Sequence, residues 1–335
     1  MKPMIGKVLE QLKTSPDGYV SGESLSEKLG VTRTAIWKYI KEIKELGYGV
    51  EASTNKGYRL LVPENVINEY ELSEDLNTEL IGKNIVYYDS VDSTNNIAKS
   101  LAQEGCDSGT VVVAGTQTGG RGRLGRKWFS AQDKGIWMSI VLRPSITLQE
   151  AQLITIGASV AVARSIFDAT GFDVKIKWPN DIIMGSRKIC GILTELSLEE
   201  ENVNYVVVGI GVNVAQELDD FPEDIKDLAT SLKLEAKDSD VHIPSRCSLV
   251  KKILFEMEKI YSKIEKGLSE EVISEWKQFS VTLGKRIRFI IKEQQYEGTA
   301  ADIESDGRLV VQCDDNITRK VLSGEIQIRG ILGCN

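Results

Sequence analysis

Between positions 31 and 47, Ala35, Ile36, Tyr39, Ile40, Ile43 and Leu46 recur at intervals of three and four residues. That period puts them on one face of an α-helix and suits no strand, whose side chains alternate with a period of two. A shorter helical stretch at 21–30 precedes it, with Leu25 and Leu29 inward and Gly30 at its end. A further helix over 4–13 carries Ile5, Val8, Leu9 and Leu12 on a common face. Two helices joined by a tight glycine-containing turn make a helix-turn-helix. Beyond Gly47, strand-like runs on either side of Asn55, Lys56 and Gly57 predict a hairpin, or wing, with Lys56 at its tip.

The face opposite the apolar stripe carries Thr32, Arg33, Thr34, Trp37, Lys38 and Lys41. A helix N-terminus there offers backbone N–H groups to a phosphate, and Arg33 reaches a base edge or the backbone. With Lys56, and Arg59 as a further phosphate contact, these residues are the expected DNA-binding set. A small helical module for protein contacts, with ordinary solvated charges, is the alternative. Charge favours nucleic acid mildly. The first 64 residues hold ten Lys plus Arg against eight Asp plus Glu, so +2 there leaves −10 on the rest of a chain whose total is −8. Pro63 and an acidic connector put the expected domain boundary at 64, with a second at 280.

The body, 65–280, opens with a strand at 85–88 and a helix whose start holds Ser93 and Thr94, as cap or as ligand donors. A buried strand at 110–117 leads into TGGRGRLGRKW at 118–128, four glycines and four basic residues in eleven positions. The glycines allow close backbone approach, and Arg121, Arg123, Arg126 and Lys127 present donors to anions. The run matches neither a Rossmann fingerprint nor a Walker A loop. It reads as an ordered or ligand-ordered lid, with a basic surface loop as the alternative. Further strands at 136–142, 174–178 and 205–214, and a long helix over 147–169, predict an α+β sheet domain. Lys177 and Asp181 flank a strand end, where Asp181 suits Mg²⁺ or receives a hydrogen bond and Lys177 suits a phosphate or carboxylate. Short strands at 283–291, 296–303, 308–312 and 325–329 predict a small terminal barrel over 281–335, with Asp306 and Gly307 in a turn.

The five cysteines are scattered and odd in number, which suits a reduced cytoplasmic protein rather than a disulfide framework or a zinc site. The single histidine, His242, sits in a polar stretch as a solvated residue. Neither a secretory leader nor an apolar stretch approaching the roughly 18 residues of a membrane span is expected.

Five runs, DSTN at 92–95, GRGRLGRKW at 120–128, KWPND at 177–181, KICGIL at 188–193 and GIGVN at 209–213, resemble the biotin–protein ligases in order and spacing. With the N-terminal winged helix the resemblance is to the bifunctional ligase/biotin-operon-repressor class, and it covers nearly the whole chain. It implies an α+β multidomain protein: a winged helix-turn-helix, a central α/β ligase domain with a mixed sheet, and an SH3-like small β-barrel.

The resemblance also implies the chemistry. Biotin and ATP give biotinyl-5′-AMP, which then biotinylates a lysine of a biotin carboxyl carrier domain. Lys188, Arg121 and Arg123 carry the catalytic role in this cast. Ser93, Thr94, Asn95, Gln117 and Gly120 join them around biotin, while Arg126, Trp128, Lys177, Asn180, Asn213 and Arg329 serve ATP or the adenylate. For Arg329 a solvated strand charge is the alternative. Mg²⁺ sits at Asp181, and the adenylate promotes a homodimer on operator DNA. Cys190 is expected to pack rather than react, and Leu124 stands where some relatives have arginine. Two other readings stay open: a lipoate or other small-acid ligase, and a repressor that senses biotin without catalysis.

Overall fold

A computed structural model describes residues 3–15, 18–63, 65–200, 202–291 and 294–322. The strand expected at 325–329 and Arg329 with it lie outside the described residues. The chain divides into two compact units, meeting between Asp75 and Leu76.

In the first unit, α1 (Pro3–Lys13), α2 (Gly22–Leu29) and α3 (Arg33–Glu45) precede a hairpin of β1 (Gly49–Ser53) and β2 (Gly57–Leu61), and a short helix α4 (Glu69–Ser73) ends it. Each helix exists because its apolar stripe is buried: Ile5, Val8, Leu9, Leu12, Leu25, Ile36, Ile40 and Ile43 form one core. The turn between α2 and α3 is built by Gly30 in the left-handed region at φ 65, a conformation that disfavours a Cβ. Ser21 and Thr32 cap the two helices by accepting from Ser24 N and Ala35 N, each contributing about 1 kcal/mol.

This unit runs eleven residues past the boundary expected at 64 because the connector is not a free linker. Tyr70 enters the core, while Glu71 accepts from Tyr48 at 2.6 Å and pairs with Lys13 at 2.5 Å. Burial and that bond push the Tyr48 phenol well above its ordinary range. Proline at 63 breaks the strand without ending the fold.

The second unit is a seven-stranded mixed sheet in the order β3 (Ile85–Val91), β4 (Val111–Gln117), β5 (Gly135–Leu142), β9 (Asn202–Asn213), β8 (Arg187–Glu199), β7 (Asp181–Met184) and β6 (Lys175–Lys177). Among the described strands of this sheet only β3 and β4 run parallel; α5 (Thr94–Gln103) makes their crossover. On the sheet pack α6 (Ala151–Thr170), α8 (Arg246–Glu265) and α9 (Ser269–Phe279), with a short α7 (Leu232–Ala236) between. The expectation that no stretch approaches spanning length needs correcting, since α6 is long and apolar enough by length and composition. Its hydropathy reflects a core position: residues from Ala151 to Ile166 are buried on nearly every side against sheet and helices.

Four antiparallel strands close the described chain in sequential order: β10 (Arg286–Ile291), β11 (Gln294–Ile303), β12 (Leu309–Cys313) and β13 (Thr318–Val321). The turn at Gly307, φ 88, carries this sheet onto the body. Its carbonyl accepts from the Gln152 amide and, at 3.2 Å, from the Trp178 indole.

Candidate active site

A cavity of about 600 Å³ opens over β8 and β9, walled by the start of α5, the 121–129 loop and the stretch from Lys177 to Asp181. Twelve of the expected ligand residues in the body line it together with Asp181. They are Ser93, Thr94, Asn95, Gln117, Arg121, Arg123, Arg126, Trp128, Lys177, Asn180, Lys188 and Asn213. Gly120 does not line it. It is buried, and a Cβ there would stand 2.6 Å from the Trp128 carbonyl, so the packing of the loop already requires glycine at this position.

The floor is made of glycine because side chains from above come down onto it. A Cβ on Gly209 would lie 2.1 Å from Asn95 Oδ1, and one on Gly211 2.5 Å from Trp128 Nε1. Trp128 stands edge-on to Trp137 with centroids 6.4 Å apart, and its indole N–H is buried with no hydrogen-bond partner among the described residues. An unmet buried donor costs free energy, so it is a natural point for a ligand acceptor.

Backbone bonds give the basic loop its shape. Trp128 N donates to Gly120 O at 2.9 Å and Gly122 N to Arg126 O at 2.7 Å, making a miniature hairpin whose tip includes Leu124 at φ 57. Arg121 donates to Asn96 Oδ1, and Arg123 to Asn180 Oδ1 at 3.0 Å. Burial holds the Arg123 guanidinium below its ordinary value, against a nearby Asp181 that raises it.

Lys188 and Asp181 form an ion pair at 2.6 Å, with the ammonium 5.2 Å from the Trp128 ring centroid. The backbone of Lys188 is clamped separately: its N–H donates to Leu228 O at 2.7 Å, and Thr230 N donates to its carbonyl at 2.9 Å. The side chain is therefore aimed by fixed backbone and held by one carboxylate. Cys190 is fully buried, and that burial pushes its thiol far up, in keeping with packing and not nucleophilic chemistry.

Ser93 occupies the N-cap of α5 but makes no side-chain cap bond, which separates the two uses open to it from sequence; its hydroxyl stays available to the cavity. Three amides are more committed than expected. Asn180 Nδ2 donates to Ile192 O at 2.8 Å, and Asn213 is held between Thr230 O and Gln216. Asn95 donates to Leu193 O and Glu195 and accepts from Ser139.

Sequence reasoning missed Ser139 and Glu195, and also Phe221, Ile225, Leu228 and Ala229, which form an apolar wall. Those four lie in a stretch whose average polarity hides them. Their only sequence signal is spacing at three and four residues. In the first unit Thr32, Arg33, Thr34, Trp37, Lys38, Lys41 and Lys56 are all exposed, though the Thr32 hydroxyl is spent as a cap. Lys56 and Arg59 both lie over the Tyr19 ring.

Comparison with known proteins follows this architecture along the chain. Residues 87–213 match the model of the biotin/lipoate A/B protein ligase family, 6–59 an HTH domain, and 282–329 the biotin protein ligase C terminal domain. The bifunctional ligase/repressor BirA of Bacillus subtilis is 37% identical over 321 residues, covering 96% of this chain and 97% of that protein. The protein of the same name from Escherichia coli is 27% identical, with 92% of each chain covered. Among solved structures, the biotin protein ligase from Aquifex aeolicus in complex with biotin and ATP superposes with a TM-score of 0.63 at 29% identity. It covers 74% of this chain and 99% of its own. With a helix-turn-helix unit, a mixed-sheet ligase body and a C-terminal antiparallel sheet all in register with these relatives, the chain belongs to the bifunctional biotin ligase/repressor family.

Proposed function

We propose that this protein activates biotin with ATP and transfers it to a lysine of a biotin carboxyl carrier domain in the cytoplasm, and that the adenylate-bound protein represses transcription as a dimer. The observation that carries the ligase reading is one cavity uniting an uncharged hydrogen-bonding end at Ser93, Thr94 and Gln117 with a cationic end at Arg121, Arg123, Arg126 and Lys188. A polar head group and an anionic reacting end call for such a polarised site.

In the first half-reaction a carboxylate oxygen of biotin bonds to the α-phosphorus of ATP, and the bond to the bridging oxygen breaks to release pyrophosphate. Two anions meet, so fixed cations at the point of contact lower the barrier. Lys188 is the residue we assign there, with Arg121 and Arg123 on the lid side. Asn180 and Asn213, tied into the strands, hold the shape of the phosphate end. In the second half-reaction a neutral lysine amine attacks the acyl carbon, AMP leaves with the bonding electrons, and the amine loses a proton. Water exclusion by the 121–129 loop protects the mixed anhydride in between.

Magnesium fits this site only as a cation that arrives with the nucleotide. Among the described residues no group of three or more His, Cys, Asp or Glu is placed to hold a metal, and Asp181 is already paired with Lys188. A single carboxylate suits Mg²⁺ that keeps its phosphate and water ligands. Such an ion would neutralise the leaving pyrophosphate, with Asp181 as its protein ligand.

Incubation with ATP, biotin or lipoate, and a biotin-acceptor domain tests the reading. Mass analysis should find biotinyl-5′-AMP and a biotinylated acceptor lysine, with lipoate giving neither. Biotin binding with neither adenylate nor transfer would leave only a sensor. Replacement of Arg123 by alanine removes the bond to Asn180 that ties the loop to the turn between β6 and β7. The variant should release biotinyl-5′-AMP about tenfold faster, seen as increased labelling of bystander proteins by mass spectrometry; retention equal to wild type would end the lid role.

A further inference from the structure

The polar contacts behind the uncharged end of the cavity have a fixed direction. Asn95 Nδ2 faces Glu195 Oε2 at 2.8 Å and Leu193 O at 3.3 Å. A carboxylate and a carbonyl only accept, so this side of the amide must be its NH₂. The Asn95 Oδ1 therefore faces Ser139 Oγ at 2.6 Å, and the serine must donate to it. Ser139 is fully buried and has one hydroxyl hydrogen, so its contact with Thr94 Oγ1 at 2.8 Å requires Thr94 to donate.

Gln117 is oriented in the same way. Its Oε1 accepts from Thr94 N at 2.9 Å while its Nε2 donates to Ser130 Oγ at 2.9 Å. The other partner of the Thr94 hydroxyl, Gln117 Oε1 at 3.1 Å, is then also an acceptor. Both inward neighbours are acceptors for the single Thr94 hydrogen and neither supplies one. Toward the cavity Thr94 is left with lone pairs.

The geometry points to Glu195, Asn95 and Ser139 as positioning residues that lock the Thr94 hydroxyl into an acceptor, so that the cavity selects a ligand presenting an N–H at that point. This deepens the biotin reading, on which it rests, since the ureido ring of biotin offers two such N–H groups. Neither Glu195 nor Ser139 lines the cavity. Glu195 is anchored in turn by Lys99 at 2.8 Å. Burial acts to raise the Glu195 carboxyl, but the bonds from Lys99 and Asn95 outweigh it and hold the group ionised below its ordinary value. The acceptor end of the relay is thus permanently an acceptor near neutral pH. Glycine at 209 completes the arrangement, because any Cβ there would displace the Asn95 amide.

The test uses biotin and the two cyclic carbamates in which one or other ring N–H is replaced by oxygen, with binding to the full chain measured by calorimetry. Wild type should bind one carbamate about 100-fold more weakly than biotin, because an acceptor then faces an acceptor. In Glu195→Ala only the longer bond to Leu193 O holds the Asn95 amide, so it turns over more readily and lets Ser139 donate to Thr94, leaving Gln117 Oε1 as the one inward acceptor competing with the cavity for the Thr94 hydrogen. The discrimination should fall to about tenfold or less. Glu195→Gln should restore it, since its side-chain carbonyl can take the same NH₂ group. Ser139→Ala, which removes the nearer of the two inward acceptors and leaves Gln117 Oε1, should lower the ratio in the same direction by a smaller factor. It serves where Glu195→Ala does not fold. A merely structural role would shift the unfolding temperature and leave the ratio of affinities where it was. Biotin binding with a ratio unmoved by either variant overturns the relay while leaving the ligase reading intact. Failure of wild type to bind biotin removes the ligase reading and the relay together.

Discussion

Truncation of Lys188 to alanine is expected to slow formation of biotinyl-5′-AMP by two to three orders of magnitude, about 3 kcal/mol of transition-state stabilisation, with little loss of fold stability. The competing view is that Lys188 serves Asp181 as a structural ion pair. Both side chains remain about a third exposed, 33% and 28%, and pairs so open to solvent contribute at most about 1 kcal/mol. The backbone bonds that fasten position 188 to Leu228 and Thr230 do not involve the side chain, so they survive truncation. The two views separate cleanly in one experiment. Single-turnover adenylation measured beside thermal unfolding should show a collapse in rate with a small shift in Tm. A large loss of Tm with normal chemistry per folded molecule would assign the lysine to structure.

Asp181 sharpens the same point. It holds the ammonium of Lys188, the cation we assign to the reaction, 2.6 Å away. On the proposed reading, substrate anions entering the cationic end would compete for that ammonium and leave Asp181 open to a cation carried by the nucleotide. The pair therefore keeps two opposite charges compensated until ligands replace each partner, avoiding the cost of an uncompensated half-buried charge.

Much of this site was legible in the sequence, for a physical reason. Chemistry that joins two anions concentrates Arg and Lys beside glycines, and the 118–128 run shows that density at once. The helix-turn-helix was equally visible, because a period of three to four is a property of the helix and not of its surroundings. What stayed hidden depends on three-dimensional partners. Ser139 in a run of buried apolar residues reads as filler, and Asn95 inside a ligand motif reads as a contact. Only the hydrogen-bond directions around Glu195 reveal that Asn95 points its amide away from the cavity's free donors and acceptors. The end of the first unit was misplaced because a proline followed by acidic residues suggests a linker. The burial of Tyr70 and the pairing of Glu71 with Lys13 could not be foreseen from the connector alone.

Loading with biotinyl-5′-AMP is expected to raise operator affinity about 100-fold over the ligand-free protein at the same concentration, with biotin alone giving less. A single winged helix reads one short half-site, whereas a dimer supplies two modules at fixed spacing. The adenylate acts as corepressor only by stabilising the dimer more than the monomer, a coupling free energy of about 1–3 kcal/mol in typical cases. The 121–129 loop is the segment through which we expect that coupling to run. It lines the ligand cavity, yet exposes Leu124 and Phe129 at 62% and 40%. Ligand bonds to Arg121 and Arg123 would fix which of these apolar groups faces outward, and an ordered apolar surface loses less entropy on pairing. Acceptor protein consumes the adenylate, so repression should rise once demand for biotinylation is met. Arg33→Ala and Lys38→Ala alter exposed cations on α3 and should weaken operator binding about tenfold, reducing its salt dependence by about one phosphate contact per half-site. Adenylation should stay at the wild-type rate in both, since neither residue belongs to the cavity. Sedimentation and operator titrations on matched ligand-free, biotin-bound and adenylate-bound protein decide between coupling and independence. Equal dimerisation and equal operator affinity in the three states would mean that the two activities share a chain without sharing free energy.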